Sequence, residues 1–386
     1  MTQALIRQPP ETRRPARLLE MVVGPTAPPP SVLERIAAPA PPLTDLEFIA
    51  EFGRCLVRLR ELIGSTSAAV AVVPGSGTNG MESLAVSLLK PEVPVLVAST
   101  GMWGDRWRDI CLRHHIPVRA PRFAAGRAPD LELVEKLLSR EQYQAVLVAH
   151  VDSSSGVRTD LAEVTELAHR HGALCLVDGV SAIGAEQIEF DEWGVDAYLG
   201  GPPKGLASAP GLAMYALSER AVELLNDRTW QRPTFSLDLG PWLPVMDAME
   251  RGVFGYFQSP AGNLVLGLSE ALRLALEEGR EARVNRHASL RDKLHAGMAE
   301  AGLDLLVPEP AERANGVTVG ILPEGMTEAE FLSAVTAHGV LLNPGTFSPL
   351  GRRTFRIGHL GTVNDEDIAR TVAAVQAVMA TQGSKA

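Results

Sequence analysis

The chain has 386 residues, of which 46% are hydrophobic and 21% are charged, and its formal net charge at pH 7 is −10. This composition predicts a globular protein, and the acidic balance argues against nucleic acid as a partner because phosphate backbones are bound by basic surfaces. No apolar run approaches the roughly 18 residues needed to cross a bilayer, so we expect no membrane association. Cys55, Cys111 and Cys175 lack metal-binding spacing, which predicts buried thiols in a reducing, cytoplasmic environment and no metal site.

Residues 1–20 contain prolines, arginines and acids but no apolar stretch of signal-peptide length, and we expect an N-terminal arm there. From about residue 45, amphipathic segments alternate with short apolar runs, which is typical of βαβ units. The apolar runs predict buried strands at residues 68–73, 93–99, 144–151, 173–178, 195–200 and 212–217. Between them, the apolar spacing predicts a helix over 161–170, and we assign residues 21–275 to one large domain.

The character of the sequence changes after about residue 275. A long charged helix is predicted to end at Gly302, and short strands and two more helices follow. One of these helices begins at Thr327 with Glu330 three residues on, which is a capping box, and the last begins at Asn364 with an acidic first turn. We therefore predict a smaller α+β domain over residues 276–386.

Two residues at the ends of predicted strands suggest a cofactor. Asp178 ends the run ALCLVD, and Lys204 follows the run VDAYLG. A carboxylate that keeps a pyridine nitrogen protonated and a lysine that forms a Schiff base are what a protein supplies to use pyridoxal phosphate. Each residue alone has an ordinary explanation, since strand-end aspartates cap turns and most lysines are surface charges.

A glycine turn, GSGTNG at residues 75–80, allows two further interpretations. It matches the dinucleotide pattern GxGxxG, which would indicate an NAD(P)-dependent oxidoreductase, but the next strand ends in Ala98, Ser99 and Thr100 without the acid that binds ribose. The same turn could bind one phosphate monoester through backbone N–H groups and the hydroxyls of Ser76 and Thr78. A plain structural turn also remains open at this point.

The phosphate turn, Asp178 and Lys204, in this order and spacing, resemble the class V aminotransferases of the fold-type I pyridoxal-phosphate enzymes. The similarity runs from VVGPT (22–26) to FRIGHLG (355–361) and is strongest to alanine/serine:glyoxylate (or pyruvate) aminotransferases. It implies an α/β fold with a mostly parallel seven-stranded sheet flanked by helices, and a smaller C-terminal α+β domain. It also implies pyridoxal 5′-phosphate as the cofactor and a homodimer with shared active sites.

The resemblance assigns roles to residues that share matched motifs. Cofactor contacts are implied for Ser76, Gly77, Thr78, Trp103 in GMWGDRW, His150 and Ser153 in HVDSSSG, Asp178, Val180 and Lys204. Tyr256 and Ser259, in YFQSP, resemble the segment that reaches the cofactor phosphate of the neighbouring subunit. Arg356 in FRIGHLG matches the arginine that binds the substrate carboxylate, and Gly24 matches the backbone that approaches the substrate.

These roles imply a transaminase of amino acid metabolism in which Lys204 and Asp178 are catalytic. The expected reaction moves an amino group from a small amino acid of the alanine or serine type to glyoxylate or pyruvate. A 2-aminoethylphosphonate or ureidoglycine transaminase, a lyase and a catalytically silent relative stay open, whereas a cysteine desulfurase is disfavoured because no cysteine follows Cys175. Pro203 replaces the family's glutamine or asparagine, which leaves the substrate identity open.

Overall fold

The computed structural model describes residues 18–227, 229, 232–347 and 353–383, so most of the predicted N-terminal arm lies outside the described residues. The strands, in chain order, are β1 (Leu19–Glu20), β2 (Ala69–Pro74), β3 (Val95–Ala98), β4 (Val118–Arg119), β5 (Ala145–Ala149), β6 (Val151–Asp152), β7 (Val157–Arg158), β8 (Leu174–Asp178), β9 (Ala197–Gly200), β10 (Leu212–Leu217), β11 (Asp304–Leu305), β12 (Val317–Ile321), β13 (Val340–Leu341), β14 (Asn343–Pro344) and β15 (Thr354–Gly358).

The helices connect and cover these strands. They are α1 (Pro30–Ala37), α2 (Leu46–Leu62), α3 (Gly77–Leu88), α4 (Met102–Arg113), α5 (Leu131–Leu138), α6 (Leu161–Arg170), α7 (Phe190–Trp193), α8 (Glu219–Asn226), α9 (Trp242–Glu250), α10 (Gly262–Glu278), α11 (Arg280–Glu300), α12 (Glu328–Ala337) and α13 (Asp365–Gly383), with a short 3₁₀ helix at Pro310–Glu312. In the part of the chain that the structure describes, no helix combines the length and apolarity that a membrane span requires.

The central sheet has seven strands in the order β2-β10-β9-β8-β5-β3-β4. β10 is antiparallel to both of its neighbours, and the other neighbouring pairs are parallel. β5 and β8 are buried along their whole length, as strands covered by helices on both faces must be. The mostly parallel seven-stranded sheet inferred from the resemblance is thus confirmed.

All six predicted strands are present in this sheet. The prediction for 144–151 was too long, because the chain leaves the sheet after Ala149 and forms the small β6–β7 hairpin. β4 was not predicted, since an edge strand of two residues leaves no apolar run to recognise. The predicted helix over 161–170 is α6, and the left-handed Gly172 follows its end with φ of +75°.

A second, antiparallel sheet has the order β11-β12-β15-β14 and packs against α11, α12 and α13. The Thr327 capping box is confirmed, since its side chain accepts from the Glu330 N–H and Glu330 reaches back to the backbone of Thr327. β1 pairs with β13, and Met21 lies in the core of this second part. The N-terminal segment therefore packs on the C-terminal part of the chain, and the domain boundaries at residues 21, 275 and 276 stay predictions.

Candidate active site

Asp178 ends β8, in the middle of the central sheet, and only 6% of its surface is exposed. Its Oδ1 accepts a 3.0 Å hydrogen bond from the N–H of Val180. Burial raises the pKa of Asp178 to about 6, and this effect is opposed by that hydrogen bond and by the charge of Lys204. Near neutral pH the group is a buried carboxylate, which favours a protonated nitrogen beside it.

Lys204 lies on the loop that follows β9. Its Nζ donates a 2.7 Å hydrogen bond to Ser181 Oγ and lies 5.4 Å from the centroid of the Trp103 ring. Burial lowers the pKa of Lys204 to about 8, an effect opposed by the charge of Asp178. A lysine with this pKa keeps part of its amine uncharged at physiological pH, as a nucleophile or general base requires.

Trp103 lies in the first turn of α4. Its N–H donates to Asp152 Oδ2 at 2.9 Å, which fixes the backbone. Its indole Nε1 is buried and has no hydrogen-bond partner among the described residues. The Nε1 of Trp107, in the core, likewise has no partner among the described residues, so an unpaired indole nitrogen does not by itself indicate a bound group.

The predicted phosphate turn begins α3. Ser76 caps the helix, since its Oγ accepts from the Asn79 N–H at 3.2 Å while Asn79 Oδ1 accepts from the Ser76 N–H at 3.0 Å. A Cβ atom on Gly77 would lie 2.9 Å from Val180 Cγ2, so the turn packs directly against the residue that binds Asp178. The first N–H groups of a helix lack partners within the helix and suit an anion.

His150 and Ser153 follow β5, and both are buried. His150 Nδ1 lies 3.1 Å from the Tyr198 hydroxyl, and its ring makes edge-to-face contacts with Trp193 and Tyr198. Burial lowers the pKa of His150 to about 3, so the ring is neutral. These are the contacts of a core histidine, and its contact with a cofactor stays a prediction.

Arg356 lies on β15, the second sheet's contribution to the site, and only 8% of its surface is exposed. Its Nε donates to the Pro344 carbonyl at 2.9 Å and its Nη1 to the Ser153 carbonyl at 3.3 Å. Burial is the main reason why the pKa of Lys204 is lowered, and the charge of Arg356 lowers it further. Arg356 thus belongs to the same cluster as Lys204 although about 150 residues separate them.

Gly24 brings the N-terminal segment against the lysine. A Cβ atom on Gly24 would lie 3.0 Å from Lys204 Cγ, and its φ of +115° favours glycine. Thr26 fixes the approach, since its N–H donates to the Pro203 carbonyl at 3.0 Å and its Oγ1 to the Lys204 carbonyl at 2.8 Å. The predicted neighbourhood of Gly24 and Lys204 is therefore present in the structure.

Tyr256 and Ser259 are not brought to this cluster within the single chain. The Tyr256 side chain is 58% exposed and stacks on Phe254, and its hydroxyl lies 3.4 Å from Ser259 Oγ. A tyrosine exposed to this extent is available to another molecule. Its predicted contact with the cofactor of a neighbouring subunit stays a prediction.

Asp152 is a central residue of the cluster that the sequence analysis did not single out. Its buried carboxylate accepts hydrogen bonds from the N–H groups of Trp103 (2.9 Å), Gly104 (3.0 Å) and Ser154 (3.0 Å) and from Ser154 Oγ (2.6 Å). Burial raises its pKa, and these hydrogen bonds lower it in part. The residue lies inside HVDSSSG, between the predicted His150 and Ser153, which was the signal available in the sequence.

Two more neighbours of the cluster were not predicted. Ser181 accepts the hydrogen bond of Lys204 Nζ. Arg106 donates from Nη1 to Thr78 Oγ1 at 2.8 Å, and its Cζ lies 4.5 Å from the centroid of the Trp103 ring. None of the matched motifs assigns a role to either residue, which is why both were missed.

These residues fit pyridoxal 5′-phosphate. The cofactor has an aldehyde, a pyridine nitrogen and a phosphate, and the site offers an amine of lowered pKa, a buried carboxylate and a helix N-terminus. Lys204, Asp178 and the turn at residues 76–78 would hold these three groups, and the ring of Trp103 lies 5.4 Å from Lys204 Nζ.

Comparison with known proteins agrees with this chemistry. The family model for class-V aminotransferases matches residues 45–350. The L-aspartate–glyoxylate aminotransferase of Paracoccus denitrificans is 31% identical, with 86% of this chain and 84% of the relative covered. Alanine–glyoxylate aminotransferase 1 of Saccharomyces cerevisiae is 32% identical, with 88% of this chain and 91% of the relative covered.

A solved structure with the same fold is the ureidoglycine–glyoxylate aminotransferase of Bacillus subtilis. It is 26% identical, with a TM-score of 0.87 and coverage of 96% of this chain and 95% of the other. These matches favour a pyridoxal-phosphate enzyme over the nicotinamide oxidoreductase that the glycine turn alone left open. The chain therefore belongs to the class-V aminotransferase family and is a pyridoxal 5′-phosphate-dependent aminotransferase of fold type I.

Proposed function

We propose that this enzyme transfers the amino group of a small amino acid, of the alanine or serine type, to glyoxylate or pyruvate. The relatives named above support glyoxylate as acceptor, because each carries it in its name. The single observation that carries the proposal is the environment of Arg356. It is a buried cation beside Lys204 whose hydrogen-bond acceptors, among the residues that the structure describes, are the two carbonyl oxygens of Pro344 and Ser153.

Arg356 supports a carboxylate substrate for an electrostatic reason. Among the described residues the hydrogen-bond acceptors of Arg356 are carbonyl oxygens. Burial lowers the pKa of Arg356 more than the charges of Asp152 and Glu328 raise it, and neither carboxylate forms an ion pair with it within the described chain. A substrate carboxylate would supply the missing charge in the bidentate geometry that arginine favours. Both α-amino acids and 2-oxo acids carry such a group, so one residue serves both halves of a transamination.

Each remaining residue has a task in this reaction. Bound pyridoxal 5′-phosphate supplies an electron-withdrawing ring that stabilises negative charge at the α-carbon of the substrate. Asp178 keeps the ring nitrogen protonated, since a buried carboxylate favours a positive charge beside it. Lys204 Nζ removes the proton from the substrate α-carbon, and Ser181 Oγ, 2.7 Å away, orients the amine. Trp103 packs on the ring and Arg356 holds the carboxylate, which together fix the orientation of the C–H bond.

We further propose that the enzyme acts as a cytoplasmic homodimer. The exposed Tyr256, with Ser259 beside it, supports a shared site, because these residues match a family segment and lack any contact with the Lys204 cluster in the described part of their own chain. The three cysteines are buried free thiols, which supports a reducing compartment. Substituting Tyr256 with phenylalanine should weaken cofactor binding if the hydroxyl reaches the neighbouring subunit.

A half-reaction screen tests the substrates directly. The visible absorption band of the bound cofactor is followed after addition of alanine, serine, aspartate or 2-aminoethylphosphonate, and then after addition of glyoxylate or pyruvate. We expect the band to disappear with alanine or serine, with one equivalent of oxo acid released per site, and to return with glyoxylate. A band that responds only to aspartate or 2-aminoethylphosphonate would contradict the proposed donor, and one that never responds would contradict transamination.

A further inference from the structure

Arg106 occupies a position at the phosphate turn to which none of the matched motifs assigns a role. It lies on α4, one helical turn after Trp103, where its Nη1 donates to Thr78 Oγ1 at 2.8 Å and its Cζ lies 4.5 Å from the centroid of the Trp103 ring. We propose that Arg106 binds the cofactor phosphate as a cation, beside the hydroxyl and backbone donors of the Ser76–Thr78 turn. This inference rests on pyridoxal phosphate as cofactor and is independent of which substrates are used.

The hydrogen bonding of Arg106 leaves room for an anion. A guanidinium has five N–H donors, and among the described residues only one of those of Arg106 has a hydrogen-bond acceptor, the neutral Thr78 hydroxyl. Arg108, two residues on, pairs instead with Asp109 at 2.9 Å and Asp105 at 3.6 Å. Arg106 is partly buried, yet no carboxylate of the described chain forms an ion pair with it. The planar guanidinium matches the geometry of phosphate oxygens.

The opposite side of the site explains why an added cation is useful. Pro202 and Pro203 precede Lys204, and proline has neither a backbone N–H nor a side-chain donor. This loop faces the phosphate turn across Val180, since Cβ atoms on Gly77 and Gly201 would lie 2.9 Å and 3.0 Å from the two methyl groups of Val180. The lysine loop therefore offers few donors to a doubly charged group, and Arg106 supplies charge from the α4 side.

The contact with Trp103 fits the same role. A guanidinium over an indole ring gains a favourable cation–π interaction and is held in place by it. The Thr78 hydroxyl restrains the other end of the same guanidinium. Arg106 is thus fixed between the residue predicted to stack on the cofactor ring and the turn predicted to bind its phosphate.

Calorimetric titration of the apoenzyme isolates the phosphate contribution. Pyridoxamine 5′-phosphate and pyridoxamine differ only in the phosphate, and neither reacts with Lys204. For Arg106→Met and Arg106→Gln we expect the affinity for pyridoxamine 5′-phosphate to fall about 10- to 100-fold, as for a lost hydrogen bond between charged groups, while pyridoxamine binding changes less than about threefold. Arg106→Lys should retain part of the affinity because lysine keeps the positive charge but lacks the paired N–H donors of the guanidinium.

The matched control is Arg108→Met, which removes an arginine from the same helix and should leave both affinities unchanged. Circular dichroism of each variant checks that the fold is retained, and the two neutral substitutions provide a second measurement if one fails to fold. The proposal is overturned if Arg106→Met and Arg106→Gln weaken both ligands by the same factor, which would indicate packing on Trp103 alone, or weaken neither. Because the readout is equilibrium binding, failure of the proposed transamination would appear separately, in the half-reaction screen.

Discussion

Replacing Asp152 with asparagine should weaken the hydrogen-bond network that joins the start of α4 to the β6–β7 hairpin. In the native site, Oδ2 accepts from the N–H groups of Trp103 and Gly104, and Oδ1 accepts from the N–H and hydroxyl of Ser154. Asparagine has one carbonyl oxygen and one NH₂ group. The NH₂ group would therefore face either the N–H groups of Trp103 and Gly104, which then lose their acceptor, or the Ser154 N–H, in which case the Ser154 hydroxyl can turn to accept.

The size of the effect follows from these contacts. Each hydrogen bond to a charged group contributes about 1.5–3 kcal/mol, and one or two of them are lost depending on the orientation of the amide, so the gross loss is about 1.5–6 kcal/mol. Burial raises the pKa of Asp152, which means that the carboxylate is itself unfavourable in this position, and its removal offsets part of the loss. We expect the free energy of unfolding to fall by about 2–4 kcal/mol in Asp152→Asn.

Urea denaturation followed by circular dichroism measures this change, and Asp130 provides the control. Asp130 also caps a helix, with Oδ1 accepting from the N–H groups of Glu132 (3.1 Å) and Leu133 (3.2 Å), but it is exposed. Asparagine caps helices about as well as aspartate, so Asp130→Asn should change the free energy of unfolding by less than about 1 kcal/mol. Equal effects of the two substitutions would refute the reasoning, because burial of the Asp152 network would then contribute nothing.

Three further outcomes are expected. Arg356→Lys should raise the KM of the amino acid donor about 10- to 100-fold, because an ammonium group cannot donate the two parallel hydrogen bonds of a guanidinium to a carboxylate. Steady-state kinetics measures this change, and an unchanged KM would contradict it. The reaction of pyridoxal phosphate with Lys204 of the apoenzyme should accelerate as the pH rises through about 8, since burial lowers the pKa of Lys204 to about 8 and only the uncharged amine attacks an aldehyde. A stopped-flow rate that does not change with pH would argue against this. Burial lowers the pKa of His287 from 6.5 to about 3, so below pH 6.5 the unfolded chain binds a proton that the folded chain does not. The contribution of neutral His287 to stability is therefore complete above pH 6.5 and is lost as the pH falls toward 3. His287→Gln should lessen the drop in Tm between about pH 7 and pH 5.

The parts of the fold that depend on local sequence were predictable. The buried strands appear as apolar runs because both faces of the sheet are covered, and Asp178 and Lys204 stood out because they follow such runs. The Thr327 capping box could be recognised because its donors and acceptors lie within four consecutive residues. Two-residue strands such as β4 have no such pattern and were missed.

The remaining features depend on contacts between distant segments. Asp152 is identified as a central residue only when α4 and the β6–β7 hairpin meet, since its donors are contributed by both. Arg106 belongs to a charged helix and reads as a solvent-facing residue until Thr78 is placed beside it. The pairing of β1 with β13 joins residues about 320 positions apart, a distance over which no periodic pattern carries information.

Turnover by Lys204→Ala decides whether Lys204 is the catalytic amine. The purified variant is supplied with pyridoxal phosphate, alanine and glyoxylate, and the formation of pyruvate and glycine is followed beside the wild-type enzyme. We expect the variant still to bind cofactor through Asp178, Trp103 and the phosphate turn but to form no measurable product. Turnover at the wild-type rate would contradict the assignment of Lys204 as the catalytic amine and with it the proposed mechanism.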